Sequence, residues 1–387
     1  MFYRCGDYIK GVFVSHTVEK ISLKSPSPGT RRFLTVHKFI GERSGPKVYL
    51  QAALHADEWP GLLTLQHLLQ SLIALDKQGK ICGEIVLVPY ANPIGMDQKI
   101  NGTVLGRQSF SAEGNFNRNW PDLSSVAENA VAQDSNVSVA KIREDLLAAV
   151  RQLPTQTPLN QLKATLLSLS IDADIMLDVH CDSEAIVHIY SNYRHQDQAY
   201  LLARHMRSPV VLLEDEPGGS PFDAAHVRPW IAVENDGIPD SCFSVTIELR
   251  GFADVNDQMA KQDAQGLLSY LAAEKVVEIE QADEATLFND IAVTNLDAVD
   301  SVTAPVTGII CWKVSIGDKV EKGQLVAEIV DIECADPDSS RTAIYTRATG
   351  ILFATVMGKL VTEGDNVGKI AGNEMLDNLS GGGLLSL

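Results

Sequence analysis

Three things are scarce in this chain, and each scarcity removes a class of explanation. Cysteine is the first: Cys5, Cys82, Cys181, Cys242, Cys311 and Cys334 are scattered singly through 387 residues. They have neither the close spacing of a zinc knuckle nor the density of a disulfide framework, so they read as reduced and mostly buried. Cys181 adjoins His180, but a thiol nucleophile needs an activating base of its own. Positive charge is the second. With 32 Lys and Arg against 50 Asp and Glu, the formal net charge is −18, and no basic cluster stands out along the sequence. Nucleic acid and anionic membrane surfaces are therefore poor partners. Long apolar runs are the third: none approaches the roughly 20 residues that cross a bilayer, and the start, MFYRCGDYIKGVF, has no export-signal pattern. The expectation is a soluble, cytoplasmic protein.

What is present is an ordinary apolar fraction of 45%. The chain is longer than the roughly 250–300 residues at which single cores stop growing. Composition shifts near residue 286, which predicts a catalytic domain with an amino-terminal lead-in (1–285), a β-rich domain (286–375) and a flexible tail (376–387). The organising stretch is VYLQAALHADEWPG, Val48 to Gly61: an apolar strand, then His55 and Glu58 on a loop, then Pro60 at a helix start. GLLTLQHLLQSLIAL follows on a helical period, and EIVLVPYANP is a second apolar strand. Strand, helix, strand within this length is a βαβ unit, hence a largely parallel sheet. Ile94 to Asp122 reads as a polar loop, and Leu123 to Asp172 as two helical segments, around residues 138–153 and 159–169. Strands are expected at Ile175–Val179, ending on His180, at Ala185–Asn192 and at Phe243–Gly251.

An imidazole and a carboxylate from one loop supply two of the three protein ligands of a His₂Glu zinc site. HxxE alone is weak, since a surface His and a first-turn Glu favoured by the helix dipole explain most such pairs. His180 strengthens it, because it ends one strand while His55 and Glu58 follow another, and a parallel sheet gathers such ends. A hydrolase then needs a carboxylate to move the water's proton. Glu248, among Val245, Ile247 and Leu249, is the candidate, since a charge in a buried strand requires a partner or a task. Arg107 suits an oxyanion, and Asn117 with Arg118 a substrate carboxylate. Arg250, two residues after Glu248, either reaches a second acidic group or pairs with an acidic neighbour.

HADEWPG, NPIGM, GRQSF, FNRNWPD, LDVHCD and TIELRG, in that order, resemble the motif series of the succinylglutamate desuccinylase/aspartoacylase family, relatives of the zinc carboxypeptidases. The resemblance implies a carboxypeptidase-like mixed α/β fold, with a largely parallel sheet and helices on both faces. It further implies one zinc ion on His55, Glu58 and His180, Glu248 as general base, Arg107 polarising the carbonyl, and Asn117 with Arg118 gripping a carboxylate. Two stretches depart from the family's pattern. Asn115 stands where an Asp is common, and Ala56-Asp57 stand where Gly-Asn is usual. No arginine for reading a substrate side chain is found, so the substrate is not inherited.

Thr307–Ile329 can be laid over Thr349–Ile370, which predicts a small barrel or sandwich of two hairpin-like halves. These halves are similar to biotinyl and lipoyl carrier domains. The hairpin between them, Cys334 to Arg341, holds no lysine, so a packing or lid role fits better than a swinging arm. The leading expectation is a zinc amidohydrolase acting on a small N-acyl amino acid; the alternative is a metallocarboxypeptidase acting on short peptides. A silent binding protein would be expected to lack Glu248. A homo-oligomer is compatible with the sequence.

Overall fold

Alternating apolar residues make Thr17–Leu23 (β1) and Arg32–Ile40 (β2) half-buried strands, paired antiparallel with Thr17 opposite Lys38. They open a computed structural model that describes residues 15–111, 113–215, 218–239 and 241–376. Cys5, residues 1–14 of the lead-in and residues 377–387 of the expected tail lie outside it. Arg43–Ala52 (β3) is buried over its last five residues, as its apolar run requires. Helix α1 (Pro60–Asp76) begins on a proline, whose preset φ suits a first turn. Gly61 is needed there: a Cβ would lie 2.9 Å from Ala52 Cβ and 3.0 Å from Val179 Cγ1. Strand β4 (Cys82–Val88) returns parallel to β3, completing the expected βαβ unit.

The stretch read as a polar loop has more structure than expected. One helical turn, α2 (Pro93–Met96), is capped by Asn92, whose side-chain oxygen accepts from Gly95 N at 2.8 Å. Two short hairpins follow, β5 (Lys99–Ile100) with β6 (Thr103–Val104) and β7 (Gln108–Ser109) with β8 (Gly114–Asn115). Helix α3 (Ser124–Gln133) was not expected, because it buries only Ala127 and Ala130 and so shows little apolar period. The expected pair are α4 (Val139–Val150) and α5 (Pro158–Ser170), each capped by a hydroxyl, from Ser138 and Thr157.

Strand β9 (Ile175–Asp182) runs two residues past His180. The single strand expected at Ala185–Asn192 is two, β10 (Glu184–Ala185) and β11 (His188–Asn192), belonging to different sheets. Then come α6 (Gln196–Met206), β12 (Val210–Glu214), α7 (Phe222–Ile231), β13 (Phe243–Gly251), α8 (Asp257–Ala273) and β14 (Ala292–Asn295). The remaining strands are β15 (Val299–Thr303), β16 (Gly308–Trp312), β17 (Lys319–Val320) and β18 (Leu325–Val330). They are completed by β19 (Arg341–Tyr345), β20 (Gly350–Thr355), β21 (Leu360–Val361) and β22 (Asn366–Gly372). No helix among the described residues is long and apolar enough to cross a membrane. No disulfide joins the described cysteines, of which Cys82, Cys181 and Cys242 are buried.

Two units divide the chain: Met1–His180, Glu216–Ile247 and Val255–Leu287 in the first, Cys181–Asp215, Glu248–Asp254 and Phe288–Leu387 in the second. In the first, the large sheet runs β1-β2-β4-β3-β9-β13, with β3 parallel to β4 and β9, and β1 and β2 antiparallel. Helix α1 packs on α8, and α3 packs on α4 and α7. Tyr49, Phe116, Trp120, Phe222 and Trp230 are the large side chains of that core. In the second unit the large sheet runs β13-β11-β12-β14, with β11, β12 and β14 parallel. Strand β14, just past the composition shift near residue 286, is thus part of this sheet.

The sequence repeat lies in the second unit, and its halves are interleaved rather than side by side. One sheet has the order β19-β18-β16-β21; the other is β10-β20-β22-β15 with β17 on β20. Strands β16 and β18 of the first half pair with β19 and β21, while β17 of the first half pairs with β20 of the second. Gly350 and Gly308 mark the close approaches, since a Cβ on either would strike a carbonyl, at 1.9 Å from Ala371 O and 2.4 Å from Val330 O.

Candidate metal centre

Strands β3 and β9 lie parallel with Ala52 opposite Val179, so the residue after Val179 and the loop after Ala52 emerge together. Ala53 turns the chain there in the left-handed region, φ 56°, a conformation non-glycine residues seldom adopt. The loop is then held from both sides. Asn92 donates to Leu54 O at 2.8 Å, and Ala56 N donates to Gly106 O at 3.1 Å. Gly106 is obligatory, because its Cβ would lie 2.4 Å from Asp57 N.

The result brings His55, Glu58 and His180 together. All three are buried, and one ligand atom of each lies within 4.8 Å of the others. His55 Nδ1 is 2.8 Å from Glu58 Oε1, and His180 Nδ1 is 2.7 Å from Glu58 Oε2. The outer ring nitrogens meet acceptors too: His55 Nε2 is 2.8 Å from Asn115 Oδ1, and His180 Nε2 is 2.9 Å from Asp178 Oδ2. Asp178 in turn accepts from Gln51 Nε2 at 2.9 Å, and Gln51 accepts from the Tyr49 hydroxyl at 2.8 Å. A neutral imidazole has one N–H. If each spends it on its outer acceptor, a lone pair is left facing the Glu58 carboxylate, and either a second proton or a cation must come between.

Electrostatics decide how uncomfortable the protons are. Burial lowers the His55 pKa, only partly opposed by Glu58, and Arg107 and His180 lower it further. Burial acts the same way on His180, but the Asp178 and Glu58 carboxylates override it and raise its pKa well above the ordinary value. Burial opposes charge on Glu58, yet the two imidazoles hold its carboxyl well below the usual range. One side chain of the triad thus resists the proton that its position invites. Two imidazole nitrogens and a carboxylate, buried, convergent and each oriented by an outer hydrogen bond, fit a divalent cation.

Arg107 joins the group, donating Nη1 to Glu58 Oε1 at 3.3 Å and approaching His55 Nδ1 at 3.2 Å. Asn117 is buried, and its side-chain oxygen accepts from Phe222 N at 2.8 Å, fastening the start of α7. Arg118 donates to the Asn117 carbonyl at 2.7 Å. Lys163 supports this turn: its ammonium donates to Arg118 O at 2.8 Å and Asn119 O at 3.2 Å, where Asn119 has φ 56°. Glu248 and Arg250 are half-buried on the last part of β13, within the second unit. Lys369 and Tyr190 feel the Glu248 charge there. Arg250 has φ 59°, so strict strand alternation stops beside it.

Three supporting residues escaped the sequence reading. Asp178 carried a signal, a carboxylate two places before a histidine inside an apolar strand, where a buried charge needs a partner. Lys163 and Gln51 carried none, because each looks like an ordinary helix or strand residue until its partner is in view. Asn115 departs from the family's pattern, which put the anchoring role of an Asp there in question. Its amide oxygen accepts where a carboxylate would.

Comparison with known proteins gives the family. The succinylglutamate desuccinylase/aspartoacylase catalytic-domain model matches residues 44–273, a span holding every motif from HADEWPG to TIELRG. An N-alpha-acetyl-L-2,4-diaminobutyric acid deacetylase from Halomonas elongata is 25% identical over 379 residues, 95% of this chain and 93% of that protein. A succinylglutamate desuccinylase/aspartoacylase structure from Shewanella frigidimarina superposes with a TM-score of 0.82 at 23% identity, covering 93% of this chain and 98% of the other. The product-bound ectoine utilization protein EutE (DoeB) from Ruegeria pomeroyi gives a TM-score of 0.64 at 17% identity, covering 92% and 94%. By the match over its catalytic core, this chain belongs to the succinylglutamate desuccinylase/aspartoacylase family.

Proposed function

We propose that the protein is a zinc-dependent deacylase that hydrolyses the amide bond of a small N-acyl amino acid. The observation that carries the reading is the buried triad of His55, Glu58 and His180, whose inner ligand atoms converge and whose outer imidazole nitrogens are already engaged. A zinc ion held there would acidify a water molecule and polarise the scissile carbonyl. Glu248 takes the proton from water and passes it to the leaving nitrogen. Arg107 steadies the negative charge that develops on the carbonyl oxygen. Arg118, with the amide N–H₂ of Asn117, binds the amino acid's carboxylate, and Lys163 keeps that turn in place. Arg250 serves the substrate's remaining polar group.

The deacetylase likeness across 95% of the chain favours N-acetylated amino acids with a second polar group. A panel of N-acetyl, N-succinyl and N-aspartyl substrates set against carboxyl-terminal peptides tests the assignment. Metal content is measured on the same preparation. Release of acetate or another small acyl group is the expected result; cleavage of long peptides instead would replace the deacylase reading. Glu248→Ala should keep its zinc and lose at least about a hundredfold in kcat. Undiminished turnover in that variant would remove Glu248 from its role.

A further inference from the structure

Away from the triad, the first unit has an open cavity of about 440 Å³ whose wall is unlike the rest of this acidic chain. Lys20, Arg31 and Arg32 contribute to it, and Asp97 is the single carboxylate among its lining residues. The sequence shows no basic cluster because strand pairing creates this one. Lys20 on β1 lies opposite Thr35 on β2, and Phe33 and Thr35 share a face of β2. Against a formal charge of −18, three cations facing one acid is a local reversal of sign.

The cations are poorly served. Arg32 is only 13% exposed in its side chain, and its one ion pair runs from Nη2 to Asp97, 3.2 Å away and 66% exposed. Its Nε is buried without a hydrogen-bond partner among the described residues. With that single ion pair to an exposed carboxylate, the Arg32 guanidinium keeps further donors for an anion in the cavity that it lines. The side chains of Lys20 and Arg31 make no hydrogen bond or ion pair among the described residues. Tyr90, Pro93 and the exposed ring of Phe33 add apolar surface to the lining, with the Tyr90 hydroxyl 3.1 Å from Thr35 Oγ1.

We propose that this cavity binds a small organic anion with at least two negative charges and a planar apolar part. The Arg32 guanidinium and the Lys20 and Arg31 side chains meet the charge, while Phe33 and Tyr90 cover the plane. Phosphomonoesters and aromatic dicarboxylates share this chemistry. The site does not depend on the deacylase reading. It adjoins the segment whose Ala91 N and Asn92 side chain hold Ala52 O and Leu54 O, each at 2.8 Å, just before His55. An occupant therefore leans on the brace of the metal loop.

Isothermal titration of the full chain with phenyl phosphate, phthalate and inorganic phosphate tests this at low and high salt. Saturable, salt-weakened binding of at least one ring-bearing dianion is expected, tighter than that of inorganic phosphate. Phenyl phosphate alone binding marks a phosphomonoester site, and phthalate alone a dicarboxylate site. Arg32→Gln and the Lys20→Gln/Arg31→Gln double variant, all near the surface, should each weaken binding at least about tenfold. Arg118→Gln should leave it unchanged. The proposal is overturned by absence of saturable binding up to about 10 mM, far weaker than a built site gives. Binding that survives Arg32→Gln, or that is lost in Arg118→Gln instead, overturns it equally.

Discussion

Strand β9 contributes to two polar clusters built around a carboxylate and histidine, one in each unit. His180 belongs to the first and Asp182 to the second. In the first, Glu58 faces two imidazoles, and His180 meets two carboxylates. In the second, Asp182 pairs with the Lys369 ammonium at 2.9 Å, and His188 Nε2 lies 4.0 Å from the same carboxylate. The two histidines respond in opposite directions. Asp178 and Glu58 override burial at His180, whereas burial pushes His188 down to about 4 because its nearby carboxylate is already claimed by Lys369. An ammonium keeps its proton and closes the cluster. Imidazoles can surrender theirs and leave nitrogen ligands behind. The presence of an ammonium thus separates an internal strut from a cluster that could hold a cation.

Breaking the first cluster should have the largest effect. Glu58→Gln is expected to abolish stable metal retention, with more than about a hundredfold loss in affinity and loss of turnover, read by elemental analysis after dialysis. Full metal occupancy in that variant would dismantle the comparison. Asp178→Asn should be milder, lowering metal affinity by about 10- to 100-fold while the fold persists, because it alters only the outer hydrogen bond of His180. Lys369→Met attacks the strut. It should cost about 2 kcal/mol in denaturant unfolding, less than for a fully buried pair because both side chains keep some exposure, and leave metal content unchanged. Adding Asp182→Asn should recover part of that loss, since no charge is then left alone.

The smallest effect is on pH. Burial pushes both His188 and His226 down to about 4, so both fold neutral and gain a proton on unfolding. Their contribution is whole above about pH 6.5, the unfolded value, and is lost as pH falls towards 4. Each should remove about 1 kcal/mol of stability between pH 7 and 5.5. His188→Gln should flatten that slope in a denaturation series, and an unchanged slope would show that His188 is charged when folded.

Much of the first cluster was legible because its residues interrupt apolar strands at the ends where chains turn into loops. HADE after VYLQAAL and LDVHCD both show this, and the parallel sheet does the gathering. The second cluster was hidden because Lys369 follows Asp182 by most of a domain, and nothing in VGKIAG distinguishes a buried lysine from an exposed one. β12 and α7 escaped for a related reason: their short apolar segments acquire a period only when a neighbour supplies the buried face. The repeat announced two halves but not their exchange of strands, since register is set by pairing rather than by local pattern.

That exchange bears on how the protein is made. A ribosome delivers Thr307–Ile329 well before Thr349–Ile370, yet the early half cannot complete either sheet until β19 to β22 arrive. Its edges stay open during synthesis, the interval in which unpaired strands meet neighbours or chaperones. A message truncated after the first half would therefore yield an aggregation-prone remnant, not a smaller working enzyme.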